Sequence, residues 1–286
     1  MQNKNQANDK FTIDDLLRKS WIYKDSNAFV KFFKFIASFH HYSRYNTMLV
    51  YLQNEAVTFF GGKSFWKKRY NRRVKKDARP YIILAPMGPV MLVYDVMDTE
   101  GTESAEEFIK NGLGHNPFDV KGKLPKEMFE KALEIAKSYG IKVTFRDTSI
   151  FKGGHITTII KGDPEIVISN NGTIEVKFST LLHELAHLFL GHTGHPKLTK
   201  ANEKKEIKIL QRKLSRTAEE LEAETVSFLV SKRLGLETNA AEYIASYITS
   251  ENDLIEFSYE SVIKTADRID QLFKFSELHL RIQQYN

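Results

Sequence analysis

Apolar residues recur at helical spacing through much of the first fifty positions. Phe29, Phe32, Phe33, Ile36 and Ala37 mark one face and Met48, Leu49 and Leu52 continue the pattern, so Leu16 to Gln53 reads as helical. Gly61-Gly62 breaks it. Tyr81-Ile82-Ile83-Leu84-Ala85 is then a continuous apolar run of strand length halted by Pro86, and Met91 to Val96 reads as a second strand. Helix pattern followed by strand pattern predicts an α+β unit. Residues 101–125 carry Gly112, Gly114, Gly122, Pro117 and Pro125 without periodicity. That stretch predicts a linker at 106–125, separating a domain at 11–105 from a second at 126–286, with residues 1–10 as a polar, disordered N-terminus.

The second half alternates. Lys126–Tyr139 reads as a helix stopped by Gly140 at the position just past its end, followed by a strand at Ile141–Phe145. Ile156–Ile160 and Glu165–Ser169 are strand-like, and Asn170-Asn171-Gly172 is a turn signal. Ser179 or Thr180 is then expected to cap a helix ending near Gly191. Further helices are predicted at about 203–214, 217–234, 239–249 and 258–275. No internal repeat is visible.

Composition narrows the setting. The apolar share of 42% over 286 residues is enough for a substantial core. No run of eighteen apolar residues exists, which argues against a membrane span. Met1 to Lys10 contains no apolar segment of the secretory kind, and the chain has no cysteine, so a reducing cytoplasm is the expected location. Without thiolates, any metal ligands must be His, Asp or Glu. The net charge of +6 is unevenly spread: Lys63–Arg79 holds +8 and Lys197–Arg216 holds +6, leaving −8 for the remainder. Two basic segments on an acidic body point to a polyanionic partner.

The chemistry is concentrated in His183-Glu184-Leu185-Ala186-His187. Two imidazoles four residues apart on a helix lie on one face, one turn apart, so both can reach one metal ion. Glu184 between them is placed to take a proton from a water at the metal, as in the H-E-x-x-H zinc metallopeptidases. Leu181, Leu182, Leu185, Ala186, Leu188, Phe189 and Leu190 make this a buried helix. Two histidines and a glutamate buried without partners would cost several kcal/mol, which a metal ion relieves. A tetrahedral site needs a third protein ligand. The position ten residues after His183, used by metzincins, is Thr193. The run Glu219-Glu220-Leu221-Glu222-Ala223-Glu224 on a downstream helix supplies acids instead, with Glu220 and Glu224 on one face. Glu220 is assigned as the third ligand of one Zn2+ ion, with Glu224 accepting the free N–H of a ligand histidine; Glu224 as the ligand is the rival assignment. For the oxyanion partner, His155, His192, Tyr243 and Tyr259 are all open.

In the N-terminal half, Phe65-Trp66-Lys67-Lys68-Arg69-Tyr70-Asn71-Arg72-Arg73-Val74-Lys75-Lys76 mixes cations with large rings. Cations offset phosphate charge and rings offer stacking faces for unpaired bases, so Trp66, Lys67, Lys68, Arg72, Arg73, Lys75 and Lys76 are the residues expected to touch single-stranded DNA. In Lys197–Arg216, Ile207, Ile209, Leu210 and Leu214 fit an exposed amphipathic helix.

Taken together, the chain resembles the ArdC family of antirestriction proteins. The N-terminal resemblance rests on Ser43-Arg44-Tyr45-Asn46, Leu49, Gln53-Asn54, Ala56, Trp66, Arg73-Val74-Lys75-Lys76, Ile82-Ile83-Leu84-Ala85-Pro86, Tyr94-Asp95-Val96 and Asp98-Thr99-Glu100-Gly101. The C-terminal part rests on Leu181-Leu182 with His183–His187, Gly191-His192 and Glu219–Glu224. The resemblance implies an N-terminal α+β domain that binds single-stranded DNA, followed by a helix-rich, zincin-like metallopeptidase domain with a small sheet, related to the ImmA/IrrE group. It further implies His183, His187 and a glutamate of the acidic run as zinc ligands, Glu184 as base, and a restriction component or a repressor as protein substrate. Two departures stand out: Asp77 replaces the usual glycine after the basic pair, and the basic insertion between Gly191 and Thr217 is long. Three functions remain open on these residues: a DNA-binding antirestriction metallopeptidase, a DNA-binding protein whose metal is structural, and a regulatory protease that cleaves a repressor.

Overall fold

The structure is a computed structural model that describes residues 14, 26–39, 42–85, 88–109, 124–147, 154–157, 164–170, 172–195, 197–200, 205–236, 244, 248 and 254–273. The predicted N-terminus at 1–10, most of the predicted linker and nearly all of the predicted helix at 239–249 lie outside these residues.

Within the stretch read as helical, the described residues form two helices, α1 (Ser26–Ser38) and α2 (Arg44–Gln53). The break falls at Ser43, whose hydroxyl caps α2 by accepting from the Asn46 amide. A small antiparallel sheet follows, with β1 (Phe60–Gly61) beside β4 (Gly88–Asp95) and β4 beside β3 (Tyr81–Ala85). Between them lie α3 (Lys63–Tyr70) and the strand β2 (Arg73–Val74), which pairs with β5 (Thr99–Glu100). Inward residues of the sheet, Ile83 and Val93, join Phe59, Phe60, Trp66 and Phe108 in an aromatic-rich cluster.

Strand β3 lies at the edge of that sheet, where backbone groups would be open to another chain. Two amides from α2 close it. Asn46 donates to the Leu84 carbonyl and accepts from the Leu84 amide, both at 2.9 Å. Gln53 does the same for Ile82, at 2.8 and 2.9 Å. Seven residues apart, these side chains stand on one face of α2 two turns apart and pair with alternate strand residues.

The C-terminal half begins with α4 (Lys126–Ser138), followed by a three-stranded sheet in which β8 (Glu165–Ser169) runs between a parallel β6 (Lys142–Arg146) and an antiparallel β7 (Gly154–Thr157). Helix α5 (Ile174–Leu190) is longer than expected. Thr173 is its cap, while Ser179 and Thr180 lie inside it, where the Thr180 hydroxyl donates to the Val176 carbonyl of the preceding turn. The β-branched, alternating start at Ile174 and Val176 hid the first turns from pattern reading. Gly191 ends the helix at φ 85°. A methyl group there would approach the Leu210 carbonyl oxygen to 2.0 Å, so glycine is required for both conformation and space.

The expected helix at 203–214 is a hairpin, β9 (Lys197–Lys200) with β10 (Lys205–Lys208), followed by irregular chain. Leu198 pairs with Ile207 across it, and Ile209 turns inward while Leu210 is exposed. Alternation with period two outweighed the helical spacing of the same apolar residues. Helices α6 (Arg216–Arg233) and α7 (Tyr259–Phe273) follow.

The larger apolar cluster draws on both halves of the sequence. Phe29, Phe32 and Phe33 of α1 pack against Phe257 and Tyr259, and the same cluster continues through α4, α5, α6 and α7. Arg44 of α2 is 1% exposed and reaches Asp267 and Asp270 of α7 at 2.6 and 2.8 Å, as well as the Leu229 carbonyl. Helices α1 and α2 thus share a core with the metal-motif helix. No helix among the described residues is long and apolar enough to cross a membrane.

Candidate metal centre

Helices α5 and α6 lie against each other through small residues. Ser227 Oγ donates to the Ser179 carbonyl at 3.2 Å, and Ala186 and Ala223 are fully buried. This close approach brings the acidic face of α6 to the histidines of α5. His183 Nε2 stands 3.1 Å from His187 Nε2 and 3.3 Å from Glu220 Oε2, and His187 Nε2 is 3.6 Å from the same oxygen. Zinc holds donors at about 2.0–2.2 Å, so neighbouring ligands of a tetrahedral ion lie roughly 3.3–3.6 Å apart. Two of the three edges fall within that spacing and the His183–His187 edge is slightly shorter, and all the donor atoms lie within 4.8 Å of one another. Two imidazoles and a carboxylate are also the donor set that suits zinc.

Electrostatics agree. Burial disfavours a charged His183 ring, but hydrogen bonds and charge from Glu220 and Glu224 outweigh it and push its pKa up to about 10. Hydrogen bonds from His183 and His187 hold the Glu220 carboxyl far below the usual range. His187, by contrast, is pushed down, first by burial. The two carboxylates thus favour a proton on the His183 ring and burial disfavours one on His187. Side-chain exposures of 21% for His183 and 27% for Glu220 leave the pocket reachable from solvent.

Glu224, expected to support a histidine, has its Oε2 3.0 Å from His183 Nδ1, on the far side of the ring from Glu220. Glu184 is 6% exposed, and its charge is felt at His183. Of the residues considered for the oxyanion role, Tyr259 is a core residue stacked on Phe33, whereas Tyr243 and the His155 side chain lie outside the described residues.

His192 has a different place. Its Nδ1 is 3.0 Å from His187 Nδ1, and its Nε2 is 3.2 Å from Glu222 Oε2. Glu222 is fully buried and is gripped at both oxygens by Arg212, with the Ser258 amide donating to Oε1 at 2.7 Å. Sequence reading missed Glu222, Arg212 and Ser258 altogether. Within an acidic run, nothing marks the one glutamate that is buried, and Arg212 belongs to a segment read as an exposed helix.

Residues 136–277 match the family model Peptidase_M78, the IrrE N-terminal-like domain. The C-terminal half is similar to that peptidase family. The match contains α5, α6 and α7 and therefore every residue around the metal centre. No curated protein and no solved structure matches the chain.

The N-terminal basic segment divides by burial. Trp66 is fully buried, its indole N–H donating to the Tyr94 carbonyl at 3.1 Å. Arg72 is 2% exposed, bonded to Thr99 and to the Glu103 carbonyl, and lies over the Phe108 ring. Both were expected to touch DNA; as placed, they hold the N-terminal cluster together. Lys67, Lys68, Arg73, Lys75 and Lys76 are exposed, with Lys75 donating to the Met97 carbonyl at 2.9 Å.

Proposed function

We infer that the IrrE N-terminal-like segment is a zinc-dependent peptidase of the ImmA/IrrE type, with His183, His187 and Glu220 as metal ligands. The observation that carries this reading is the triangle of 3.1, 3.3 and 3.6 Å between their donor atoms. Zinc held there would supply Lewis acidity toward water and a peptide carbonyl. Glu184 takes the proton released by the attacking water and hands it to the leaving amine. Glu224 holds the His183 ring with Nε2 toward the ligand position. Solvent access at His183 and Glu220 favours a catalytic site over a closed structural one, because hydrolysis needs an open coordination position.

The exposed cations Lys67, Lys68, Arg73, Lys75 and Lys76 support single-stranded DNA as a partner of the N-terminal half, and with it the ArdC-like antirestriction role. In that role the peptidase would act on a restriction component or a repressor. Glu184→Gln separates hydrolysis from binding. It is expected to retain zinc and DNA while losing peptide cleavage and protection from restriction. Full protection by that variant would leave the metal with a structural role, and cleavage without any DNA affinity would favour a repressor-cleaving regulator.

A further inference from the structure

The two histidines of the motif are supported differently. His183 donates directly to a carboxylate, Glu224, at 3.0 Å. Among the described residues no carboxylate meets His187 Nδ1; its neighbour there is a second imidazole, His192, also at 3.0 Å. Two ring nitrogens at that distance form a hydrogen bond only if one carries a proton and the other a lone pair. Which is which follows from the far side of His192. Glu222 is held as a carboxylate by Arg212 at both oxygens, so it accepts and cannot donate. His192 Nε2 must then carry the proton toward Glu222. Arg212 balances the charge of Glu222, and a neutral His192 turns a lone pair at Nδ1 toward His187. His187 Nδ1 donates to it, which leaves the lone pair of His187 at Nε2, facing His183 Nε2 and Glu220.

We propose that His192, anchored by Glu222 and Arg212, is the positioning residue that locks His187 into the tautomer and ring orientation able to bind zinc. This rests on the metallopeptidase reading of the site and adds to it an assigned source of metal affinity outside the motif. The anchoring is built from three separate parts of the chain. Arg212 follows the basic hairpin, and its amide also donates to the Gly191 carbonyl at 3.3 Å. Ser258, just before α7, donates its amide to Glu222, while its hydroxyl donates to Asp14 Oδ2 at 2.6 Å. The insertion after Gly191 therefore does not merely flank the cleft: its C-terminal limb braces the second metal histidine. The side chains of His192 and Glu222 are 2% and 0% exposed, so these hydrogen bonds are shielded from competing water.

The test measures zinc affinity of the full chain by competition with a chromophoric chelator, together with the visible spectrum of the cobalt-substituted protein. His192→Phe keeps ring volume without nitrogen and is expected to bind zinc about 10–100-fold more weakly, the usual effect of removing a group that orients a ligand. His192→Gln keeps an acceptor and a donor on one amide and is expected to recover most of that loss. If the Phe variant does not fold, as read by circular dichroism, His192→Ala takes its place. Unchanged zinc affinity and an unchanged cobalt spectrum in His192→Phe would overturn the assignment. So would equal losses in the Phe and Gln variants, since that marks a packing role. A wild-type protein that binds no zinc or cobalt would instead remove the metallopeptidase reading, and the relay with it.

Discussion

His183 Nδ1 lies 3.0 Å from Glu224 Oε2, and this hydrogen bond separates the tasks of two glutamates one helical turn apart. Glu224 is committed to the outer nitrogen of the ring. Glu220 is left facing the inner nitrogens of both histidines, at 3.3 and 3.6 Å. A carboxylate behind a ligand histidine raises its basicity and fixes its orientation, whereas a carboxylate in front of it shares the metal.

Glu220→Gln and Glu224→Gln should therefore differ in kind. If Glu220 is the ligand proposed, the first removes a charged ligand, and zinc binding is expected to fall by well over the roughly 10–100-fold that follows loss of an orienting group. The second is expected to stay within that range. Chelator competition on both variants decides it, and the reverse order of losses would make Glu224 the ligand.

Arg44 ties the first helices to the C-terminal half. Replacing it with alanine leaves Asp270, itself 5% exposed, with only Arg233 as a cationic neighbour among the described residues. Breaking a buried pair in this way costs about 3–5 kcal/mol. Urea unfolding of Arg44→Ala should show that loss, and a change below about 1 kcal/mol would mean that the ion pair is not structural.

Lys67, Lys68, Arg73 and Lys76 changed to glutamate should weaken single-strand binding and flatten its salt dependence. For single strands the slope falls by about 0.7 for each phosphate that the protein no longer neutralises. Trp66→Ala should act otherwise: it opens the N-terminal cluster at a cost of about 3–5 kcal/mol and leaves the salt slope of the folded fraction unchanged. Fluorescence anisotropy across a salt series, beside thermal unfolding, separates the two effects.

Asp95 offers a test through pH. Burial raises its pKa, while amides of Phe59, Thr58 and Val96 partly offset that rise. A carboxyl raised on folding binds its proton more tightly in the folded state, so its contribution to stability is present at low pH and is lost as pH rises from about 3.9 through the folded value. Asp95→Asn keeps an acceptor for those amides and should flatten stability across that window. An unchanged pH slope in urea titrations would place the effect elsewhere.

Much of the centre was legible because metal chemistry imposes short-range spacing. A spacing of four positions from His183 to His187, and again from Glu220 to Glu224, puts each pair on one helix face whatever the surroundings. Gly191 could be read as a helix stop because a positive φ favours glycine. The strand at 165–169 was legible from a compact β-branched run, and the one at 81–85 from an apolar run bounded by proline. The hairpin at 197–208 was not, since its few apolar residues fit helical and alternating periods alike. Only Leu198 facing Ile207 across the strands selects one.

Taken alone, then, the sequence determined which side chains could bind a metal and which faces of their helices they occupy, because both depend on local periodicity. Tertiary structure decided which carboxylate meets which nitrogen. Glu220, Glu222 and Glu224 are alike in charge and nearly adjacent in the chain, yet the packing of α6 on α5 turns one to the metal position and another behind His183, and the irregular chain carrying Arg212 ties the third to His192. The same physics moved Trp66 and Arg72 from an expected DNA surface into the interior. Burial depends on long-range packing that no residue spacing encodes.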